Sequence, residues 1–279
     1  MKRQAFVNGE YVDREKAKID VEDTGLIRGY GVFDYLRTFG GKPFLLDEHL
    51  TRLFNSAKEI NLSIPYSKSE VEKIINKVLE INNDENSGVR TVVTGGRSKN
   101  GIFPEGKPGF VVVSKKIEPD TKIVDQGVSV ITCEHQREFS QAKTLNYLKL
   151  ISHQREIEGS DAYTALFVSN GFVLEGGTSN VFIIKDKKII TPEENILKGI
   201  TRGLIIKLAE ENGYQVEERD VEVEELLESR EVFLTSTTRG VIPVVQIDDR
   251  EIGDRRPGKQ TKKLIDIYQG YVEEFKTRD

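Results

Sequence analysis

The sequence predicts a two-domain α+β protein, with residues 1–114 as an N-terminal α+β domain, 115–126 as a linker and 127–279 as a second, strand-rich domain. Three observations carry this. Apolar residues recur at helical spacing twice in the first stretch, at Leu50, Leu53, Phe54 and Ala57 and again at Val71, Ile74, Ile75, Val78 and Leu79, between runs of strand-forming residues. The segment 115–126 is polar and charged and interrupts the apolar pattern, as linkers do. Beyond it, strand signals outnumber helical ones.

Taken in order, residues 4–8 alternate around Phe6, and Asn8-Gly9 is a strong turn pair, so the chain opens on a hairpin strand. Gly29 and Gly31 imply a closely approached backbone leading into a strand that reaches about Phe39, and Gly40-Gly41 then turns the chain. Residues 43–46 read as a short strand. Asp47 is placed to cap the helix that follows, with Arg52 beside its apolar stripe. A second amphipathic helix spans 67–81, and 88–94 and 110–114 read as strands around a glycine-containing loop.

In the second domain a strand at 128–133 and a loop at 135–142 deliver Lys143. A helix follows from about Asn146 with Tyr147, Leu150 and Ile151 on its apolar side. Strands 162–168 and 172–174 turn through Ser169-Asn170-Gly171, and strands 180–184 and 188–191 turn through Lys185-Asp186-Lys187. Thr201 is expected to cap a helix bearing Leu204, Ile205, Leu208 and Ala209, which Gly213 ends. A short helix near 222–228, strands at 231–234 and 241–247, and a helix over about 259–275 complete the chain.

Composition narrows the function. A net charge of −5 argues against a nucleic-acid surface. One cysteine, Cys133, forms no internal disulfide, which makes a reducing cytoplasm the natural compartment. The start Met1-Lys2-Arg3-Gln4-Ala5 has basic residues without an apolar stretch after them, so no signal peptide is expected. No run approaches the ~18 apolar residues that a bilayer crossing needs, and no membrane partner is expected. His49, His135 and His153 lie far apart without ligand-like spacing, so no metal site is expected.

Five separated motifs remain: Asp47-Glu48-His49-Leu50-Thr51-Arg52-Leu53, Ala142-Lys143-Thr144-Leu145-Asn146-Tyr147, Leu174-Glu175-Gly176-Gly177-Thr178-Ser179-Asn180, Lys198-Gly199-Ile200-Thr201-Arg202, and Thr235-Ser236-Thr237-Thr238. Each alone is weak. Together and in this order the set resembles the class IV (fold type IV) pyridoxal-phosphate aminotransferases, which include branched-chain aminotransferases, D-amino acid aminotransferases and aminodeoxychorismate lyases. The resemblance covers nearly the whole chain. It implies a C-terminal pseudo-barrel α/β domain and pyridoxal 5′-phosphate as cofactor.

It also implies roles. Lys143 would form the Schiff base with the cofactor aldehyde, which requires a neutral amine. Glu175 would face the pyridine nitrogen and let the ring draw electrons from the substrate. A phosphate would sit at Gly199, Ile200 and Thr201, because a helix N-terminus offers free N–H groups and a positive dipole end. Ser236 and Thr237 would add donors there and Arg52 full charge. Leu197 would pack on the ring face and Tyr147 bond the ring oxygen, while Asn180 and Ser179 either orient their loop or serve as ordinary turn residues. A transamination follows in which Lys143 moves the substrate α-proton and a 2-oxo acid is released.

The substrate signals depart from the commoner patterns. Branched-chain enzymes usually carry Tyr-x-Arg-Pro where this chain has Gly88-Val89-Arg90-Thr91. Common D-amino acid enzymes carry an Arg-x-His pair where this chain has Lys99-Asn100-Gly101, and a tyrosine in place of Phe33. Arg28-Gly29-Tyr30-Gly31-Val32-Phe33-Asp34 together with 88–96 looks like a less common group of D-amino acid transaminases in which two arginines bind substrate carboxylates. By that likeness Arg28, Arg90, Phe33 and Thr238 are substrate-binding, Arg28 acts from a partner subunit, and the enzyme is a homodimer with active sites at its interface. Arg97 and Arg137 are rival carboxylate binders. Two arginines favour dicarboxylic partners, such as D-glutamate and 2-oxoglutarate. Competing readings are a branched-chain L-aminotransferase, an (R)-amine transaminase, an aminodeoxychorismate lyase and a non-catalytic cofactor-binding protein.

Overall fold

A computed structural model describes residues 3–118 and 122–277. The chain divides into two compact units, the first made of 3–118 with Gln141–Asn146 and the second of 122–140 with 147–277 among the described residues.

The first unit contains β1 (Gln4–Val7), β2 (Glu10–Asp13), α1 (Thr24–Arg28), β3 (Gly31–Phe39), β4 (Lys42–Pro43), α2 (Leu46–Glu59), α3 (Lys68–Asn82), β5 (Ser87–Thr94) and β6 (Gly109–Lys116). The strands form an antiparallel sheet in the order β2-β1-β6-β5-β3-β4. The expected turn joins β1 to β2, with Asn8 at φ 49° and Gly9 at φ 107°. Alternation along β3 sorts its side chains: Val32, Asp34, Leu36 and Thr38 are buried, whereas Phe33, Tyr35 and Arg37 are half-buried on the other face. Leu50, Leu53 and Ala57 of α2 and Val71, Ile75 and Val78 of α3 close the core over the buried face with Phe110 and Val112. α3 begins with a capping box in which Ser67 and Glu70 satisfy each other's backbone N–H groups.

Two expectations change here. The helix α2 starts at Leu46, behind a left-handed Leu45 (φ 52°), and Asp47 does not cap it. Leu46 packs against the core, which draws it into the helix, and the exposed Asp47 carboxylate pairs with Lys68 at 2.6 Å instead. The short strand expected over 43–46 shrinks to Lys42–Pro43, since Leu46 belongs to α2. Arg28 ends α1, whose cap Asp23 accepts from Gly25 N–H at 2.7 Å and from Thr94 Oγ1 at 2.7 Å.

The second unit contains α4 (Lys122–Gln126), β7 (Val128–Glu134), α5 (Leu148–Ser152), α6 (Gln154–Gly159), β8 (Thr164–Ser169), β9 (Phe172–Gly176), β10 (Ser179–Lys185), β11 (Lys188–Thr191), α7 (Ile200–Glu211), β12 (Gln215–Glu218), β13 (Val221–Glu222), α8 (Val223–Leu227), β14 (Glu231–Ser236), β15 (Gly240–Ile247), β16 (Arg250–Glu251) and α9 (Lys259–Thr277). Its sheet runs β12-β11-β10-β14-β15-β7-β8-β9-β13, and β9 also pairs with β10, so the strands from β10 round to β9 close into a barrel. Val130, Leu166, Val181, Leu234 and Ile242 lie within one of its cores. Phe182 and Phe233, opposite each other on β10 and β14, stack with centroids 4.7 Å apart.

The segment expected as a linker, 115–126, carries regular structure. β6 runs on to Lys116, Lys122–Gln126 is helical, and residues 119–121 lie outside the described residues. The stretch around Lys143 also departs from the expected boundary by joining the first unit. Lys143 accepts from Phe33 N–H at 2.9 Å, Leu145 N–H donates to Gly31 at 3.0 Å, and Thr144 bridges Val32, so the loop is an extra rung beside β3. The single helix expected from Asn146 is two short ones broken at His153, and Ile151, expected on an apolar side, is exposed.

Candidate active site

In the first unit, one face of β3 and β5 gathers several of the expected residues. Tyr35 stands opposite Arg90 and Phe33 opposite Val92. The exposed Arg90 guanidinium lies 5.7 Å from the Phe33 ring centroid and 5.6 Å from that of Tyr35, distances suited to cation–π attraction. Lys143 Nζ stands 4.6 Å from the same Phe33 centroid. Phe33 thus has a reactive-type amine and a guanidinium over one ring. Burial raises the Tyr35 hydroxyl above its ordinary value, opposed by the charges of Arg90 and Arg37. The Lys143 backbone N–H is held from below by Ser56 Oγ of α2 at 3.0 Å.

One turn before Ser56, Arg52 is gripped by a residue of the buried face. Its Nε donates to Asp34 Oδ2 at 2.7 Å and its Nη2 to Oδ1 at 3.0 Å, and His49 Nδ1 lies 2.6 Å from the same Oδ1. Burial alone would raise the Asp34 carboxyl. The charges and hydrogen bonds of Arg52 and His49 outweigh it and hold the group well below the usual carboxylate range. An ionised carboxylate only accepts, so His49 Nδ1 carries the proton. Burial lowers His49 itself, and Asp34 only partly opposes this.

The second unit supplies a separate cluster. Glu175 on β9 lies directly opposite Asn180 on β10, and Asn180 opposite Thr235 on β14. Glu175 is 6 % exposed; Oε1 accepts from Arg137 Nε at 2.8 Å and Oε2 from Leu197 N–H at 3.0 Å. Asn180 Nδ2 donates to Leu197 O at 2.8 Å, so Glu175 and Asn180 together fix both backbone groups of Leu197. Two residues on, Gly199 is the cap of α7, without a side-chain cap bond, and a Cβ there would overlap Asn180 Oδ1. The expected cap Thr201 is instead the second residue of the helix and buried: Gly199 takes the extended backbone (φ −68°, ψ 141°) that precedes it. Ser236 ends β14, with its buried Oγ lacking a hydrogen-bond partner among the described residues, as do Thr235 Oγ1 and Ser179 Oγ. Thr237 and Thr238 follow in the turn to β15, and Tyr147 precedes α5.

Arg28 is exposed, and its Nη1 donates to the carbonyl of Ile27 at 2.8 Å, a bond to its own neighbour in the chain rather than to the face that carries Arg90. The rival arginines are engaged. Arg97 is exposed and binds Glu22 at 2.6 Å, and Arg137 binds Glu175. Sequence reasoning missed Asp34, His49 and Ser56, and the partnership of Arg137 with Glu175. The signal for Asp34 was present, as the one charge on the buried side of an alternating strand, and His49 stands three residues before Arg52 on a helix.

The family model for amino-transferase class IV matches residues 31–247. The chain is 37% identical to a putative branched-chain-amino-acid aminotransferase of Methanocaldococcus jannaschii, covering 95% of this chain and 94% of that one. It is 36% identical to a D-alanine aminotransferase of Bacillus licheniformis, covering 96% and 97%. Among solved structures, a branched-chain amino acid aminotransferase from Escherichia coli matches with a TM-score of 0.89 at 28% identity, over 98% of this chain and 95% of that one. The chain belongs to the class IV aminotransferases.

Proposed function

We propose that this aminotransferase moves the amino group of a D-amino acid, D-glutamate or D-alanine, to a 2-oxo acid such as 2-oxoglutarate. The observation that carries the reading is the shared face of β3 and β5, where Arg90 and Lys143 both address Phe33. A guanidinium there can take a substrate carboxylate through two parallel N–H bonds while the lysine amine addresses the α-carbon.

Class IV aminotransferases work with pyridoxal 5′-phosphate, and the residues present fit it. The unpartnered Ser236 Oγ and the uncapped N–H groups of α7 suit a phosphate, and the buried Glu175 carboxylate suits a ring nitrogen. When bound, the cofactor supplies an aldehyde for amine exchange and a conjugated ring that takes up electron density from the substrate α-carbon. Lys143 Nζ would hold the cofactor through its aldehyde carbon and would serve as the base and acid for the substrate α-proton. Glu175, kept in place by Arg137 and the Leu197 amide, would hold the ring nitrogen, with Leu197 against the ring and Tyr147 for the ring oxygen. Gly199, Ile200, Thr201, Ser236, Thr237 and Arg52 would hold the phosphate, and Asn180 fixes the Leu197 backbone that precedes α7.

Arg28 and Thr238 complete the substrate pocket, Arg28 from the partner subunit of a homodimer. The first unit leaves Leu26, Ile102 and Phe103 exposed, apolar side chains that such a partner could cover. A cytoplasmic location accords with the free, buried Cys133, and among the described residues no helix is long and apolar enough to cross a membrane. A second reading, a branched-chain L-amino acid aminotransferase, is favoured by the name of the Methanocaldococcus jannaschii relative. Replacing Arg90 by Leu tests the first: kcat/KM for D-glutamate should fall about 10- to 100-fold, the worth of a charge-assisted contact. An unchanged value would remove Arg90 from the pocket.

A further inference from the structure

Folding alone does not account for one buried charge of the first unit. Asp34 is 5 % exposed and lies on the core side of β3 between Val32 and Leu36, which are buried with it. An ion pair in such a place is a weak stabiliser, because well-packed apolar side chains of similar volume often do as well or better. Its geometry points to orientation instead. Both Asp34 oxygens bind one edge of the Arg52 guanidinium, Nε at 2.7 Å and Nη2 at 3.0 Å, and His49 braces Oδ1 at 2.6 Å. A guanidinium held by two adjacent nitrogens cannot turn about its last torsions without breaking both bonds. The remaining nitrogen, Nη1, has no hydrogen-bond partner among the described residues, although the side chain is only 11% exposed. The same helix carries Ser56, one turn on, which holds the backbone of Lys143.

We infer that Asp34, braced by His49, is a positioning residue that aims Arg52 Nη1 at the phosphate of the cofactor, and so sets the preference of the protein for the phosphorylated over the unphosphorylated form. This rests on the reading of Arg52 as a phosphate ligand. Asp34 touches neither cofactor nor substrate; its effect passes through the arginine.

The test loads the protein with pyridoxal 5′-phosphate or with pyridoxal, its unphosphorylated form, and measures each dissociation constant from the absorbance of the bound cofactor. Asp34→Asn should weaken pyridoxal 5′-phosphate roughly 10- to 100-fold and pyridoxal less than about 3-fold, because only the charge-assisted contact is lost. Arg52→Ala should show the same selective loss, and adding Asp34→Asn to it should weaken the phosphorylated form no further. If Arg52→Ala leaves the preference intact, the reading of Arg52 as phosphate ligand falls. If Arg52→Ala abolishes it but Asp34→Asn does not, or if Asp34→Asn weakens both cofactors alike, Asp34 is structural and the inference is overturned. Should Asp34→Asn fail to fold, Asp34→Glu keeps the charge but displaces it by one methylene, and a preference unchanged in that variant would count equally against the inference.

Discussion

Gly199 sits where three requirements of the second unit meet, and a single methyl there separates them. Its backbone (φ −68°, ψ 141°) is open to any L-residue, so Gly199→Ala in empty space should stabilise by about 0.4–1 kcal/mol through a less flexible unfolded chain. The space is not empty. The new Cβ would overlap Asn180 Oδ1, and Asn180 is buried, facing Glu175 across the strand pair, with its amide on Leu197 O at 2.8 Å. Moving Asn180 leaves the Leu197 carbonyl without its donor, a loss of about 1–3 kcal/mol, and forces the neighbours apart at about 1–3 kcal/mol more. Against the small backbone gain, the net expectation is a destabilisation of about 1–5 kcal/mol, centred near 3. In the Asn180→Ala background the overlapping atom is absent, and Gly199→Ala should there be neutral to stabilising by up to about 1 kcal/mol. The pair should therefore be coupled by about 2 kcal/mol or more, toward the upper end for contacting residues. Urea midpoints of the four proteins, with m-values checked for constancy, give the cycle. Equal destabilisation by Gly199→Ala in both backgrounds, or none in the original chain, would refute the reasoning.

Other outcomes follow from the same structure. Glu225 is pulled down to about 2 by its hydrogen bonds to Arg219 and then Lys185, against its burial, so its contribution is complete above the ordinary 4.5 and is lost as pH falls from there toward 2. The gap in urea midpoint between the original chain and Glu225→Gln should accordingly shrink over that interval on acidification, and a gap that stays constant would contradict it. Asp23→Ala removes the cap of α1 and a partner of Thr94, and should cost about 1–2 kcal/mol in the same assay. Arg137→Met removes the cation paired with the buried Glu175 and should destabilise by about 1–3 kcal/mol; an unchanged midpoint would mean that the pair is idle.

The core helices were legible because periodicity reports burial: the stripes on α2 and α3 are the residues that close the sheet. Helix ends were less so. Asp47 and Thr201 are good capping residue types, yet the cap fell to Leu45 and Gly199, since the packing of Leu46 and the crowding of Gly199 by Asn180 decided the entry geometry. Periodicity within one segment also cannot tell which sheet a loop will join, so the attachment of Lys143 to β3 was hidden from the domain boundary. The family resemblance indicated Glu175, Asn180, Leu197 and Gly199 as site residues, and strand register and hydrogen bonds to the Leu197 backbone connect the first three. The partners of Arg52 and Glu175 depend on contacts 18 and 38 residues distant in sequence, for which a single chain carries no signal beyond an odd charge on a buried strand face.

The central claim concerns the hand of the donor. The purified, cofactor-loaded protein should be mixed separately with D-glutamate, L-glutamate and L-leucine without any acceptor, following the cofactor absorbance and the 2-oxo acid released. Conversion by D-glutamate with release of 2-oxoglutarate, and by neither L-donor, is the predicted result. Conversion by L-leucine while D-glutamate stays inert would contradict it and establish the branched-chain reading in its place.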